Sequence, residues 1–435
     1  MAKTVASKKA INPIIAKIKK DKALADLIVT TEVMDDEFLN VNCISLNLVF
    51  SGKITGGLKK GKITTIAADS QLGKSLIGYN ALQAAYKAGM ACFVIDSEHA
   101  FNWRLAKSLG IDLDNIIVFD EARISEVKRI FARINAGLSR EERKNMFVDL
   151  DSWGALVSTF IQEKAAEGSD SADMGRTAQF KNELANLINS YGNTTFVVNH
   201  VYASMQMYGD KFEIPGGKRL FFDADSIGLG SSAAKYKDNK GNILGKVVTI
   251  AVKKGRGAKE FIKTKYLIRH DGGIDPFFGL IDEALECKAI IKPKPGYYVR
   301  NFKVIDKAGN DVSDIDFETG EIRKQWTEAE LYCGKFWVPI YKHKPFIDFV
   351  ENKFSFVNTT LISAQHNVID QINGVETWSD TAVSAIKDEE VDDGEQQFDF
   401  NAVGINTKHT AEEIANAKSD DGSLTEEDID AAEQN

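Results

Sequence analysis

The 435-residue chain has no run of 18 or more apolar residues and no signal-peptide pattern at its start, so neither membrane spanning nor secretion is expected, and the chain reads as cytoplasmic. Cysteine is scarce: Cys43, Cys92, Cys287 and Cys333 lie far apart and form no C-x-x-C pair. That argues against a disulfide framework or a thiolate zinc site and leaves reduced, mostly buried thiols. Positive charge is nearly missing from one end. From Thr381 onward 16 Asp and Glu face 3 Lys, a net of −13 within a chain total of −9, which leaves residues 1–380 at about +4. An acidic, aromatic-poor tail of this kind stays solvated. It serves as a solubility tail, or as a DNA mimic that competes for a basic groove or recruits a partner.

What is present is a body of ordinary globular composition, 43% hydrophobic and 27% charged, long enough for two to three domains. The first 22 residues hold seven Lys and one Asp. Asn12 and Pro13 read as an N-cap and first turn, and Ile11, Ile14, Ile15 and Ile18 recur at helical spacing. Residues 1–41 are thus an N-terminal helical segment, basic over its first 22 residues, that packs against its own domain or docks on another protomer. From 42 to 275 strand and helix patterns alternate: "KITTIAA", "SLIGYNALQAAYKAG", "ACFVID", "FNWRLAKSLG", "NMFVDLD" and "TTFVVNH". That alternation predicts an α/β fold with a mostly parallel central sheet and ligands at the carboxyl ends of its strands. Residues 276–355 change character. "GLIDEALECKAI" and "KHKPFIDFVENKFSF" read as helices and "AGNDVSDIDFETGEIRKQW" as a hairpin, together a small α+β C-terminal module. Residues 356–435 turn polar and then acidic.

"AADSQLGKS", Ala67 to Ser75, sits between a strand and a helix. It is nearly the phosphate-binding loop G-x-x-x-x-G-K-[ST], with Ala68 in place of the first glycine. In such a loop, backbone N–H groups at a helix N-terminus cradle phosphates, the lysine neutralises β and γ oxygens, and the hydroxyl meets Mg²⁺. Gly73, Lys74 and Ser75 occupy the informative end. The first glycine chiefly permits a tight turn, so Ala68 is expected to cost some conformational freedom. The next strand ends in "IDSEHA", where Asp96 and Glu98 offer a carboxylate to deprotonate an attacking water, or one that caps the following helix. The third ends in "DLDSW". Asp151 is the better placed Mg²⁺ acid, with Asp149 on the same side of the strand as the competing choice.

"FSGKITGGLKKGKI", the loop at 68–75, "FVIDSEHAF", "DLDSWGAL", "DMGRTAQ", "VVNH" and "DGGIDPFFGLIDEALE" follow one another in this order. In this the chain resembles the RecA-type recombinases. It resembles most closely the UvsX recombinases of tailed phages, through "ITGGL", "KPKPGYYVR" and "FWVPIYKHKPF" as well. The resemblance covers residues 40–350 and implies a RecA-type P-loop ATPase core. It implies that Ala68, Asp69, Ser70, Gln71, Leu72, Gly73, Lys74 and Ser75 bind ATP, with Ser75 and Asp151 on Mg²⁺. It makes Glu98 the activator of water and His200 the residue that senses the γ-phosphate. Asn102 and Trp103 fall where relatives contact or stack on adenine, with Leu105 as the other residue able to pack on the base. Two DNA-binding loops are implied: one offers Met174, Gly175 and Arg176, the other Met205, Met207, Tyr208, Lys211, Gly216, Gly217, Lys218 and Arg219. Apolar wedges and cations of this sort grip a single strand without reading its sequence. Lys254 and Arg256 in "VKKGRG" correspond to basic residues presented to the ATP of the adjacent protomer.

The implied activity is an ATP-dependent homologous recombinase, a DNA-dependent ATPase forming a helical homo-oligomeric filament on single-stranded DNA. It would pair that strand with homologous duplex and exchange strands in phage recombination, repair and recombination-dependent replication. A single-strand-binding protein and a recombination mediator are the expected partners. A ring helicase of the same fold and a non-hydrolysing DNA-binding paralogue, the latter motivated by Ala68 and Asp149, are the alternatives.

Overall fold

A computed structural model describes residues 36–159, 174–203, 212–214, 218–238, 240–315 and 319–356. The basic segment at residues 1–22 and the acidic tail after 380 lie outside the described residues. So do Met205, Met207, Tyr208, Lys211, Gly216 and Gly217.

The centre is a nine-stranded sheet. Its strands in chain order are β1 (Ile63–Ala68), β2 (Ala91–Asp96), β3 (Ile116–Asp120), β4 (Met146–Asp151), β5 (Thr194–Asn199), β6 (Ser226–Lys237), β7 (Ile243–Gly255), β8 (Lys263–Arg269) and β9 (Gly273–Ile274). Their spatial order is β9-β8-β7-β6-β1-β5-β4-β2-β3. From β6 to β3 every pairing is parallel; β6, β7, β8 and β9 form an antiparallel meander. The parallel half is buried on both faces, so its strands read as near-continuous apolar runs.

Two layers of helix cover it. On one face lie α1 (Ile44–Ser51) and α2 (Lys74–Lys87), which buries Ile77, Ala81, Leu82 and Ala85 at helical spacing. On the other lie α4 (Ile124–Ile134), with Ile124, Val127 and Phe131 inward, and α5 (Met174–Tyr191), with Leu184, Ala185 and Ile188 inward. A short α3 (Trp103–Ser108) precedes α4 in the chain. Alternate strand residues feed the two cores, Phe147 toward α2 and Val148 toward α4 and α5. Between α5 and β6 the chain forms α6 (Lys218–Asp223).

Beyond β9 come α7 (Ile281–Glu286), a three-stranded antiparallel sheet of β10 (Ile290–Lys294), β11 (Tyr297–Arg300) and β12 (Trp326–Thr327), and helices α8 (Gly334–Ile340) and α9 (Lys344–Phe354). Trp337, Phe336, Phe346 and Phe354 fill a separate core there, which also takes Leu48 and Ile54. Among the described residues the hairpin expected between Ala308 and Trp326 shows no continuous ladder. Isolated bridges join Ile305 to Asp311 and Ile315 to Ile322, and β12 pairs with β11 instead. The turn residues were legible, but the strand partner is set by Trp326 entering the core. Cys43 and Cys92 are buried, whereas Cys287 and Cys333 are half-exposed. Among the described residues no helix is long and apolar enough to cross a membrane.

Candidate active site

Four parallel strands deliver the site. Asp96 pairs in register with Asp151, and Ala67 with Asn199, so β1, β2, β4 and β5 end side by side at the carboxyl edge. The loop from β1 to α2 turns through left-handed backbone at Gln71, φ 63°, and Gly73, φ 82°. The left-handed backbone requires glycine at position 73, and a methyl there would also have to displace the end of the Ile268 side chain, 2.3 Å away.

Ala68 is not in the turn at all. It is the last residue of β1, with its register partner Gly230 on β6. A methyl on Gly230 would lie 2.8 Å from Ala68 Cβ. The strand next door therefore supplies the space, which corrects the expectation of a conformational cost at position 68.

Two side chains from β7 and β8 hold the loop. Tyr266 Oη donates to Leu72 O at 2.6 Å, and Lys246 Nζ donates to Gln71 O. Lys74 Nζ donates to Asp69 O at 2.9 Å. Burial lowers the Lys74 pKa, opposed by the nearby charges of Asp151, Glu98 and Asp69. Sequence reasoning missed Tyr266 and Lys246. Nothing local marks them, because each acts on a loop 175 or more residues away.

A cavity of about 300 Å³ is lined by the loop residues Ser70, Gln71 and Gly73 together with Lys74, Ser75, Glu98, Asp151 and His200. The five residues that carry the chemistry expected from sequence share this one space. Asp151 accepts a hydrogen bond from Ser75; burial pushes its carboxyl up to about 6, with Glu98 and Asp96 adding to the rise and Ser75 and Lys74 opposing it. Glu98 Oε1 accepts from Ser152 Oγ at 2.5 Å and pairs with His200 Nε2 at 3.0 Å. Burial works to raise the Glu98 pKa, but the bonds from Ser152 and His200 outweigh it and the carboxyl stays below its ordinary value. Glu98 is thereby held ionised with its orientation set from two sides.

The three other acids separate by contact. Asp96 Oδ2 accepts from the Phe101 backbone N–H at 2.7 Å, so it is the acid that organises the next segment. Asp149 turns beneath α2, where a methyl on Gly78 would lie 2.7 Å from its Oδ2. Its Oδ1 is buried without a hydrogen-bond partner among the described residues. Burial first, then Asp151 and Asp96, raise its pKa well above the ordinary value. Of the two acids on β4, Asp151 is the one that meets Ser75.

A second cavity, about 240 Å³, adjoins the first and is lined by Ser75, Tyr79, Phe101, Asn102, Leu105 and Asp149 among others. Asn102 caps α3 by accepting from Leu105 N at 3.0 Å, and its own N–H donates to Tyr79 Oη. Trp103 is 48% exposed, edge-on to Phe101 at 4.8 Å, and does not line this cavity.

The remaining assigned residues lie elsewhere. Met174, Gly175 and Arg176 begin α5 and so are helical rather than in a loop. Lys218 and Arg219 begin α6; Arg219 Nε donates to Asp223 at 2.7 Å and its N–H to Asn182 Oδ1 at 3.1 Å. Lys254 Nζ donates to the carbonyls of Phe221, Phe222 and Ala224 at 2.7–2.8 Å, clamping the end of α6. Arg256 is exposed.

The donor set suits Mg²⁺ with nucleotide. Ser75 and Asp151 present two hard oxygens in contact. Among the described residues no three His, Cys, Asp or Glu cluster as a ligand set.

Comparison with known proteins matches residues 9–275 to the family described as RecA N-terminal domain. Residues 277–350 match the C-terminal domain of the bacteriophage T4 recombination and repair protein. The chain is 28% identical over 354 residues to the "Recombination and repair protein" of Enterobacteria phage T4, covering 78% of this chain and 84% of that one. It is 24% identical over 288 residues to "Protein RecA" of Clostridium acetobutylicum, covering 65% and 80%.

Proposed function

The chain belongs to the RecA family, and from that premise we propose that it is an ATP-dependent recombinase that polymerises on single-stranded DNA, pairs it with homologous duplex and exchanges strands. The observation that carries the reading is the single cavity where Lys74, Ser75, Asp151, Glu98 and His200 converge at the ends of four strands. Lys74 and the loop N–H groups hold the phosphates. Ser75 and Asp151 would hold Mg²⁺, which when bound would neutralise charge on the phosphate oxygens. Glu98, kept ionised, accepts the proton of a water directed at the γ-phosphate. His200, touching Glu98, registers whether that phosphate is present. Arg256 is the exposed cation suited to reach a neighbour's nucleotide, while Lys254 positions α6 behind it.

On this reading residues 42–275 form the ATPase and DNA-binding core and 276–355 an accessory module. Residues 1–41 dock on the next protomer, and the acidic tail modulates duplex access or meets a mediator or single-strand-binding protein. Against the non-hydrolysing alternative, Ala68 is accommodated by Gly230 and Asp149 does not line the phosphate cavity.

Phosphate release with and without single-stranded DNA tests the reading. The wild type is expected to be stimulated by DNA, and Glu98→Gln to lower the stimulated rate by about 10²–10⁴-fold. Lys74→Ala is expected to abolish nucleotide-dependent filaments in micrographs. A wild type with no turnover in either condition sinks the proposal, and rings in place of filaments turn it toward a helicase.

A further inference from the structure

Lys181 is a buried cation that the hydrolytic chemistry does not use. It lies two turns into α5, 6% exposed, on a helix that otherwise turns Leu184, Ala185 and Ile188 inward. Its ammonium donates to the carbonyls of Trp153 at 2.9 Å and Gly154 at 3.2 Å. Among the described residues it takes part in no ion pair with a carboxylate. Desolvation is the sole cause that pushes its pKa down, to about 8. A methionine would fill the same space without the cost of burying charge, so stability does not explain the choice.

The segment it grips does. Residues 151–154 run along the back of the hydrolytic pair. Ser152 Oγ donates to Glu98 at 2.5 Å. The Trp153 N–H donates to Val198 O at 2.8 Å, two residues before His200. Gly154 lies under the imidazole, where an added methyl would come within 3.3 Å of His200 Cδ2. Two turns before Lys181, α5 starts with Met174, Gly175 and Arg176, which the resemblance assigns to DNA. Moving α5 either carries the Trp153 and Gly154 carbonyls with it or breaks two charge-assisted bonds.

We infer that Lys181 is the positioning residue that couples DNA at the start of α5 to the orientation of the Glu98–His200 pair. The inference rests on the DNA-dependent ATPase reading above. The charged groups around it are distinguishable in titration. Glu98 and Asp151, which face the gripped segment, titrate on the acid side. Glu183–Lys128 and Arg219–Asp223, on the flanks of α5, are ion pairs.

The test compares phosphate release by wild type, Lys181→Met and Lys181→Arg with and without single-stranded DNA, alongside thermal unfolding. In Lys181→Met the ratio of stimulated to unstimulated rate is expected to fall at least about tenfold, and Lys181→Arg to restore most of it. A merely structural lysine would lower both rates together and leave the ratio alone. A second readout needs no methionine variant: the wild-type ratio falls as pH rises through about 8, while that of Lys181→Arg stays flat to about pH 9.5. A wild type without stimulation defeats the recombinase reading and this inference together. A stimulated wild type whose ratio survives Lys181→Met overturns the inference alone. Should that variant fail to fold, a wild-type ratio that is level across pH 8 overturns it equally.

Discussion

In the C-terminal module Arg300 and Asp314 are 5% and 1% exposed, and every strong group between them is answered. Arg300 Nε and Nη2 donate to the two Asp314 oxygens at 2.6 and 3.1 Å. The Arg300 backbone N–H and Trp326 Nε1 add further bonds to the same carboxylate, each at 3.1 Å. Around the main sheet Lys74, Asp149 and Lys181 are also buried, yet among the described residues none has a carboxylate–cation partner in direct contact. There the pKa values shift, and they shift by desolvation first. The same chain closes one charge cluster completely and leaves another open, and the open one adjoins the cavity where phosphate is expected. Closed pairs specify structure; open ones keep charge available for a ligand.

The widest separation between the two regions comes from Asp314→Ala. It leaves the Arg300 guanidinium buried without its counter-charge, an expected loss of about 3–5 kcal/mol in urea unfolding. A loss under about 1 kcal/mol would mean that water reaches Arg300, and the contrast with Lys74 and Lys181 would collapse.

A smaller effect is expected at the loop itself. Gly230→Ala sets a methyl against Ala68 and should destabilise by about 1–3 kcal/mol. Adding Ala68→Gly, which moves the glycine back into the loop's first position, should recover most of that. If the double variant is no better than the single, the two positions do not share the space the geometry assigns them, and Ala68 is tolerated for another reason.

The candidate site residues were partly legible because Glu98, Asp151 and His200 fall at or just past the ends of strands whose hydrophobic runs are visible in the sequence, and Lys74 and Ser75 open the helix after one such strand. The strand pattern and the rule that parallel strands present ligands at one edge pointed to the loop at 68–75, to Asp96 or Glu98 and to Asp151, whereas the choice of Glu98 and the role of His200 came from the resemblance to RecA-type recombinases. What holds them was not legible. Gly230 touches Ala68 only because β6 lies beside β1, and Tyr266 reaches Leu72 only because the meander continues to β8. Lys181 looks like an ordinary helix cation until α5 is packed over residues 151–154. Asp151 was preferred over Asp149 from the loop that follows it, and because both lie on one face of β4 their contacts with Ser75 and Gly78 are what separate them. Met174 to Arg176 were read as part of a loop and are helical, because α5 already includes them.

The smallest expected effect is the most discriminating, because its sign opposes that of Asp314. Asp149 has its pKa raised, by burial first and then by Asp151 and Asp96, so the folded chain keeps a proton that the unfolded chain releases. Between the ordinary carboxylate pKa of about 4 and the raised folded value, stability therefore falls as pH rises, and above the folded value the whole penalty stands. Asp149→Asn preserves shape and removes the charge. In magnesium-free buffer it should stabilise the protein by on the order of 1–2 kcal/mol at pH 8, the gain shrinking as pH drops toward 4–5. Urea unfolding at both pH values reads this directly. A variant that is less stable at pH 8, or whose difference does not change with pH, would place Asp149 with Asp314 among the answered charges. The cavity edge would then owe its open character to Lys74 and Lys181 alone.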